Sequence, residues 1–200
     1  TPLYSSAASD VYKRQGVDHT LHSGGYGGPV LDGPTLLSRL IATLHDDDGA
    51  VAVEGLQRHE GAESGEQLHY DEQQFRADAG VLPDVRLAGR GSLTSRLWTQ
   101  PAISITGFDA TAVDVASNTI APSARAKISL RIAPGQDPKE AARALVSHLE
   151  SHAPFGARVE VEIEETGPAF ATDTSAPPAQ EMLWAPVSYT HLRAHETGRN

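Results

Sequence analysis

Ala124-Arg-Ala-Lys-Ile-Ser-Leu-Arg-Ile132 is the stretch whose reading decides how this chain folds. Ala126, Ile128, Leu130 and Ile132 take every second position, with Arg125, Lys127, Ser129 and Arg131 between them. A period of two is that of a strand with one buried and one polar face. Pro134-Gly135 ends it. Asp137-Pro138-Lys139-Glu140 then opens a helix, with a capping-box start and proline at the first helical position. Ala141, Ala142, Leu145, Val146 and Leu149 form its inner side, and it stops before Pro154. From Arg158 to Glu165 the alternation returns through Val159, Val161 and Ile163, a last strand.

Upstream the same logic gives a first half. Ala102-Ile-Ser-Ile-Thr-Gly107 alternates and reads as a strand. Leu36, Leu37, Leu40, Ile41 and Leu44 fall at helical spacing on one face, behind Pro34 and a start at Asp32 or Gly33. Val17 and Leu21, between Gly16 and His22, mark a short strand before it. The expected fold is α+β: a ferredoxin-like four-stranded antiparallel sheet with two helices on one face. A polar, acidic surface insertion runs over about 54–97, with one amphipathic piece near 71–79 and apolar character returning at Leu97-Trp98. Asp46-Asp-Asp-Gly49 ends the first helix and reads as a solvated turn. After 167 come a Pro-containing linker and a helix start at Ala179–Ala185 carrying Met182, Leu183 and Trp184, which needs a surface to lie on.

The 200 residues include no cysteine, so a disulfide framework, a thiol nucleophile and a thiolate metal site are all excluded. A formal charge of −10 argues against a nucleic-acid partner. No apolar run is long enough to span a membrane and no secretory signal opens the chain, so neither membrane nor export is expected and the chain is placed in the cytoplasm.

Both ends look foreign. Asp10 to Gln15 can be written GAT GTG TAT AAG AGA CAG. The reverse complement, read from its third base, encodes Val-Ser-Tyr-Thr-His and the start of a Leu codon, which is Val187 to Leu192. One duplex element in opposite orientations at two ends is the mark of a DNA fragment tagged for sequencing. Residues 1–15 and 186–200 are therefore set aside as a non-native, adapter-like scar, with the natural part lying inside a longer gene.

For chemistry, His19-Thr-Leu-His22-Ser-Gly-Gly-Tyr-Gly-Gly28 puts two histidines ahead of four glycines within five residues. It reads either as a glycine-rich hairpin with a surface histidine or as a shaped turn that presents an imidazole. His69-Tyr70-Asp71 has the spelling of a metal-ligand triplet but sits in the acidic insertion and reads as exposed. His45, His148 and His152 fall on helix ends or exposed faces. Arg131, on the polar side of a strand beside Pro-Gly, is either a surface arginine or a guanidinium placed to grip a carboxylate. Zincin, phosphate-loop and nucleophile-elbow motifs are absent from the sequence.

Three segments together resemble the lid, or dimerisation, domain of the M20 zinc peptidases, nearest their dipeptidase branch. The first is Asp18-His-Thr-Leu-His22-Ser-Gly-Gly-Tyr-Gly-Gly28 with the following helix and Leu44-His-Asp-Asp. The second is Arg96-Leu-Trp98 through Pro101. The third runs from Ala116-Ser-Asn118-Thr-Ile-Ala-Pro122 to Ser129-Leu-Arg131-Ile-Ala-Pro-Gly135. The resemblance covers nearly all of 16–185. It implies a lid domain over 16–168 and the start of a returning catalytic domain at 169–185. It also implies that His22 reaches across a homodimer to the scissile carbonyl oxygen of a dipeptide or short peptide. Asn118 and Arg131 would then help bind substrate, the arginine at its carboxylate end. Two zinc ions, bridged by an aspartate, and a glutamate base would belong to the catalytic domain, whose motifs are absent here. No metal site is expected within these residues, and the chain alone would cleave nothing. His69-Tyr70-Asp71 lies after the lid begins, where the family's first ligand motif precedes it, and is read as a decoy. The rival reading is a stand-alone ferredoxin-like module that dimerises or binds a small ligand without catalysis.

Overall fold

The computed structural model describes residues 6–15, 17–59 and 70–166, with side chains over 17–59 and 70–164. In chain order the elements are β1 (Ser6–Gln15), β2 (Leu21–His22), α1 (Ser23–Tyr26), α2 (Gly33–Ala42), α3 (Glu72–Ala79), α4 (Leu93–Trp98), β3 (Ala102–Asp109), β4 (Thr119–Ile120), β5 (Arg125–Arg131), α5 (Pro138–Ser151) and β6 (Arg158–Thr166). The chain is α+β and its sheets are antiparallel.

β5 carries the alternation that its sequence announces: Ala126, Ile128 and Leu130 are buried, and Arg125 and Lys127 are exposed. It pairs with β3, Leu130 opposite Ile103 and Ile128 opposite Ile105, until the register shifts between Ile105 and Gly107. Its other edge pairs with β1, and β1 pairs in turn with β6, giving the order β3-β5-β1-β6. α2 lies over β1 and β5, and α5 over β1 and β6. Leu37, Leu40 and Leu44 from the first helix and its exit meet Leu145 and Leu149 of α5 over Ile128 and Leu130. Both helices start as their sequences require. Asp32 accepts from the Thr35 N–H (2.8 Å) and Asp137 from the Glu140 N–H (2.9 Å).

Two expectations change. The main sheet does not take its first strand from 16–22; Leu21–His22 instead forms a separate two-stranded sheet with β4. The slot is filled by Ser6–Gln15, the segment set aside as adapter-like, so the sheet begins ahead of the boundary expected at residue 16. Ladder membership depends on main-chain N–H and C=O groups, which every non-proline residue carries. A segment without apolar alternation can therefore occupy a place between two strands.

The insertion is also less peripheral than its polarity implies. Leu56 is buried in the core, as are Val51 and Val53 just ahead of the insertion, and Gln136 fastens the residues on either side of Leu56: its amide donates to the Gly55 carbonyl (2.9 Å) and accepts from the Gln57 N–H (3.1 Å). The insertion's two ends meet at a polar neck. His59 N–H donates to the Thr99 carbonyl (3.0 Å), and the Ser95 and Thr99 hydroxyls both donate to the His59 carbonyl (2.9 and 2.6 Å). Between them α3 exposes most of its surface and has no buried residue. The acidic turn is fastened too. Asp46 accepts from the N–H groups of Asp48 and Ala50, and Arg90 forks between Asp46 and Asp48 (2.8 and 2.7 Å). Desolvation is the largest single influence and opposes it, yet the Ala50 N–H, the Arg90 guanidinium and the Asp48 N–H together hold the Asp46 carboxyl below the ordinary carboxylate range. Residues 169–185, expected to begin the returning domain, and 186–200 lie outside the described residues. Among the described residues no helix is long and apolar enough to cross a membrane.

His148, expected on an exposed face, is only 7% exposed. It follows Leu145 by three positions, so the apolar stripe of α5 carries it inward. Its Nε2–H is shared between the Thr43 carbonyl (3.1 Å) and hydroxyl oxygen (3.0 Å), while that hydroxyl donates to the Leu40 carbonyl (2.7 Å). The ring stacks on His152 at 4.0 Å between centroids. Burial first, and the neighbouring His152 second, push its pKa below the ordinary histidine value, against the Thr43 carbonyl and Glu54, which favour the proton.

Two measurements follow from this core. Leu145→Ala removes a fully buried side chain and is expected to cost about 2–5 kcal/mol in chemical denaturation. His148 binds its proton less readily folded than unfolded, so its contribution to stability is complete above about pH 6.5 and is lost as pH falls below that. His148→Gln should flatten that part of the stability–pH curve; a variant curve parallel to the wild type would contradict the assignment.

Candidate functional site

β2 and β4 are only two residues each, Leu21 opposite Ile120 and His22 opposite Thr119. The pairing is extended by one clip. The Ser23 N–H and the Ser23 hydroxyl both donate to the Asn118 carbonyl, at 2.9 and 3.0 Å. His22 and Asn118, distant in sequence, are thereby neighbours on one exposed rim.

His22 is the N-cap of α1, and it caps with its own ring: Nδ1 accepts from the Gly24 N–H at 3.0 Å. The ring is otherwise exposed. His19 makes its bond with its chain neighbour, Nδ1 to Asp18, and this hydrogen bond, with the charge of His19, lowers the Asp18 pKa. Both of those side chains are exposed.

A glycine supports this rim from below. The Gly33 N–H donates to the Ala121 carbonyl (2.8 Å), and a Cβ at position 33 would lie 2.4 Å from the Ser123 carbonyl carbon. Only a residue without a side chain lets the start of α2 close onto the segment joining β4 to β5.

Arg131 is elsewhere. It follows Lys127 and Ser129 on the sheet face turned away from the helices, at the C-terminal end of β5. The rim lies on the chain leading into the N-terminal end of that strand, and Arg125 to Arg131 spans roughly 20 Å. The structure thus brings His22 and Asn118 together and holds Arg131 at the other end of the strand.

His69 lies outside the described residues. Of its triplet, Asp71 caps α3 by accepting from the Gln73 N–H (3.3 Å), and the Tyr70 ring meets Phe75 edge-on at 5.9 Å. Among the described residues no three His, Asp or Glu side chains are placed to hold a metal ion. Sequence reasoning passed over Ser23 and Gly24. Their signal was position alone, directly behind His22, because histidine is not among the usual helix caps.

The peptidase dimerisation domain of the M20 family matches residues 12–157, and the chain belongs to that family. It is 33% identical over 173 residues to cysteinylglycine-S-conjugate dipeptidase from Corynebacterium striatum, covering 86% of this chain and 37% of that protein. In solved structures the fold is similar to human carnosine dipeptidase 1, with TM-score 0.69 and 20% identity, covering 88% of this chain and 39% of that one. It is also similar to the M20 metallo-carboxypeptidase Sso-CP2 from Sulfolobus solfataricus, with TM-score 0.69 and 22% identity, covering 90% and 48%. The chain therefore spans between about two fifths and one half of the length of these relatives.

Gly33→Ala is expected to lower stability by about 1–3 kcal/mol, because backbone rather than a flexible side chain must move. Thermal unfolding reads this directly, and an unchanged midpoint would contradict the close approach.

Proposed function

We propose that this chain is the lid of a zinc-dependent M20 dipeptidase that works as a cytoplasmic homodimer on dipeptides or short peptides. In this reading the lid has the ferredoxin-like plan, which the order β3-β5-β1-β6 with α2 and α5 over one face supports. His22 donates to the scissile carbonyl oxygen of a peptide held by a second protomer and stabilises the oxyanion as the tetrahedral intermediate forms. Asn118 binds the same substrate beside it, and Arg131 takes a substrate carboxylate in its guanidinium fork. The zinc pair, the source of an activated water, and the glutamate base belong to a catalytic domain outside these 200 residues; alone, the chain hydrolyses nothing.

The observation that carries the reading is the clip between Ser23 and the Asn118 carbonyl, with Arg131 at the far end of β5. A dipeptide spans about 7 Å between its ends. One such substrate does not bridge the length of β5, so His22 and Asn118 serve one active site while Arg131 serves another. A second protomer supplies that division. It would also cover Val113 and Val115, 88% and 72% exposed on the same β3–β4 connection as Asn118.

Mixed dimers of the uninterrupted enzyme test this. His22→Ala alone should lower kcat about 10²–10³-fold, and Arg131→Ala should abolish preference for a free carboxylate over its amide. Pairing one protomer of each variant restores an intact site, up to one per mixed dimer. If His22 and Arg131 served one site from one chain, every site would stay defective and no turnover would return.

A further inference from the structure

We propose that Gly24 is a positioning residue that fixes the tautomer of His22, making the neutral ring a hydrogen-bond donor through Nε2. The inference rests on the reading of His22 as a donor to the carbonyl oxygen and explains how it can donate without becoming an imidazolium. A neutral imidazole has one N–H and one bare nitrogen. The Gly24 N–H occupies Nδ1 at 3.0 Å, so Nδ1 is the bare nitrogen and the proton resides on Nε2, at the side of the ring away from its own backbone. The clip to Asn118 is made by Ser23, the residue directly ahead of this N–H, so the donor follows on from the same contacts that assemble the rim.

The requirement for glycine follows from the same geometry. A Cβ at position 24 would lie 3.1 Å from Cε1 and 3.2 Å from Nδ1 of His22, pressing on the atoms that receive the bond. At Gly25 a Cβ would meet nothing within 4 Å. The two adjacent glycines therefore differ in what they do, and the second is an internal control.

Nitrogen-15 NMR on this chain at neutral pH reads the tautomer without any catalytic domain. The expected result is an Nε2–H ring at His22 with a through-hydrogen-bond coupling between Nδ1 and the Gly24 amide nitrogen. Gly24→Ala should lower the ratio of Nε2–H to Nδ1–H about fivefold, the equivalent of about 1 kcal/mol, and weaken that coupling. Gly25→Ala should leave both as in the wild type. An Nδ1–H ring in the wild type, absence of the coupling, or equal responses to the two substitutions would overturn the proposal. These readouts are independent of turnover, so failure here is distinct from failure of the mixed-dimer test.

Discussion

The sheet exists as one piece because β1 is hydrogen-bonded along both edges, to β5 and to β6. Those two ladders tie the antiparallel β3–β5 pair on one side to β6, with α5 packed on it, on the other. Hydrophobic burial from both helices acts on top of this continuity: Leu37 and Leu40 meet Leu145 and Leu149 over Ile128 and Leu130. Main-chain pairing supplies the frame, and the leucines and Ile128 supply the cohesion.

The rim is built by the opposite economy of means. Two paired residues, two bonds from Ser23 to one carbonyl and one ring-to-backbone bond hold His22 and Asn118. So few contacts hold a geometry only when their supports are rigid. One support is the strand pair itself. The other is the start of α2, closed onto 121–124 through Gly33.

The parts of the fold that were legible in the sequence are those where one face is buried. β5, α2 and α5 each show their period because the core selects apolar side chains at alternate or helical positions, and β6 shows it through Val159 and Val161, half-buried against that core, although Ile163 is exposed. Ser6-Ala-Ala-Ser-Asp-Val-Tyr-Lys-Arg-Gln15 has no such period, and its place depends on register with two distant strands. Leu56 looked like part of a polar insertion because its neighbours are polar, and its burial depends on Gln136 across the fold. His148 could have been read, since its position extends the stripe through Ala141 and Leu145. At the site, the histidine beside its glycines stood out and Asn118 was reached only through the family resemblance. Their adjacency was not legible, because it rests on backbone bonds between segments far apart in the chain. The separation of Arg131 from both was hidden for the same reason.

The neck between His59 and Thr99 has a consequence for how this architecture can vary. A loop whose two feet are bonded to each other transmits little of its own length to the body beneath it. Each doubling of such a loop costs only about 0.6 kcal/mol in closure entropy. The domain thus carries a built-in grafting point: lineages could lengthen, shorten or exchange everything between 60 and 87 while the sheet and rim stayed as they are. Descendants of one scaffold could in this way acquire different outer surfaces without renegotiating its core.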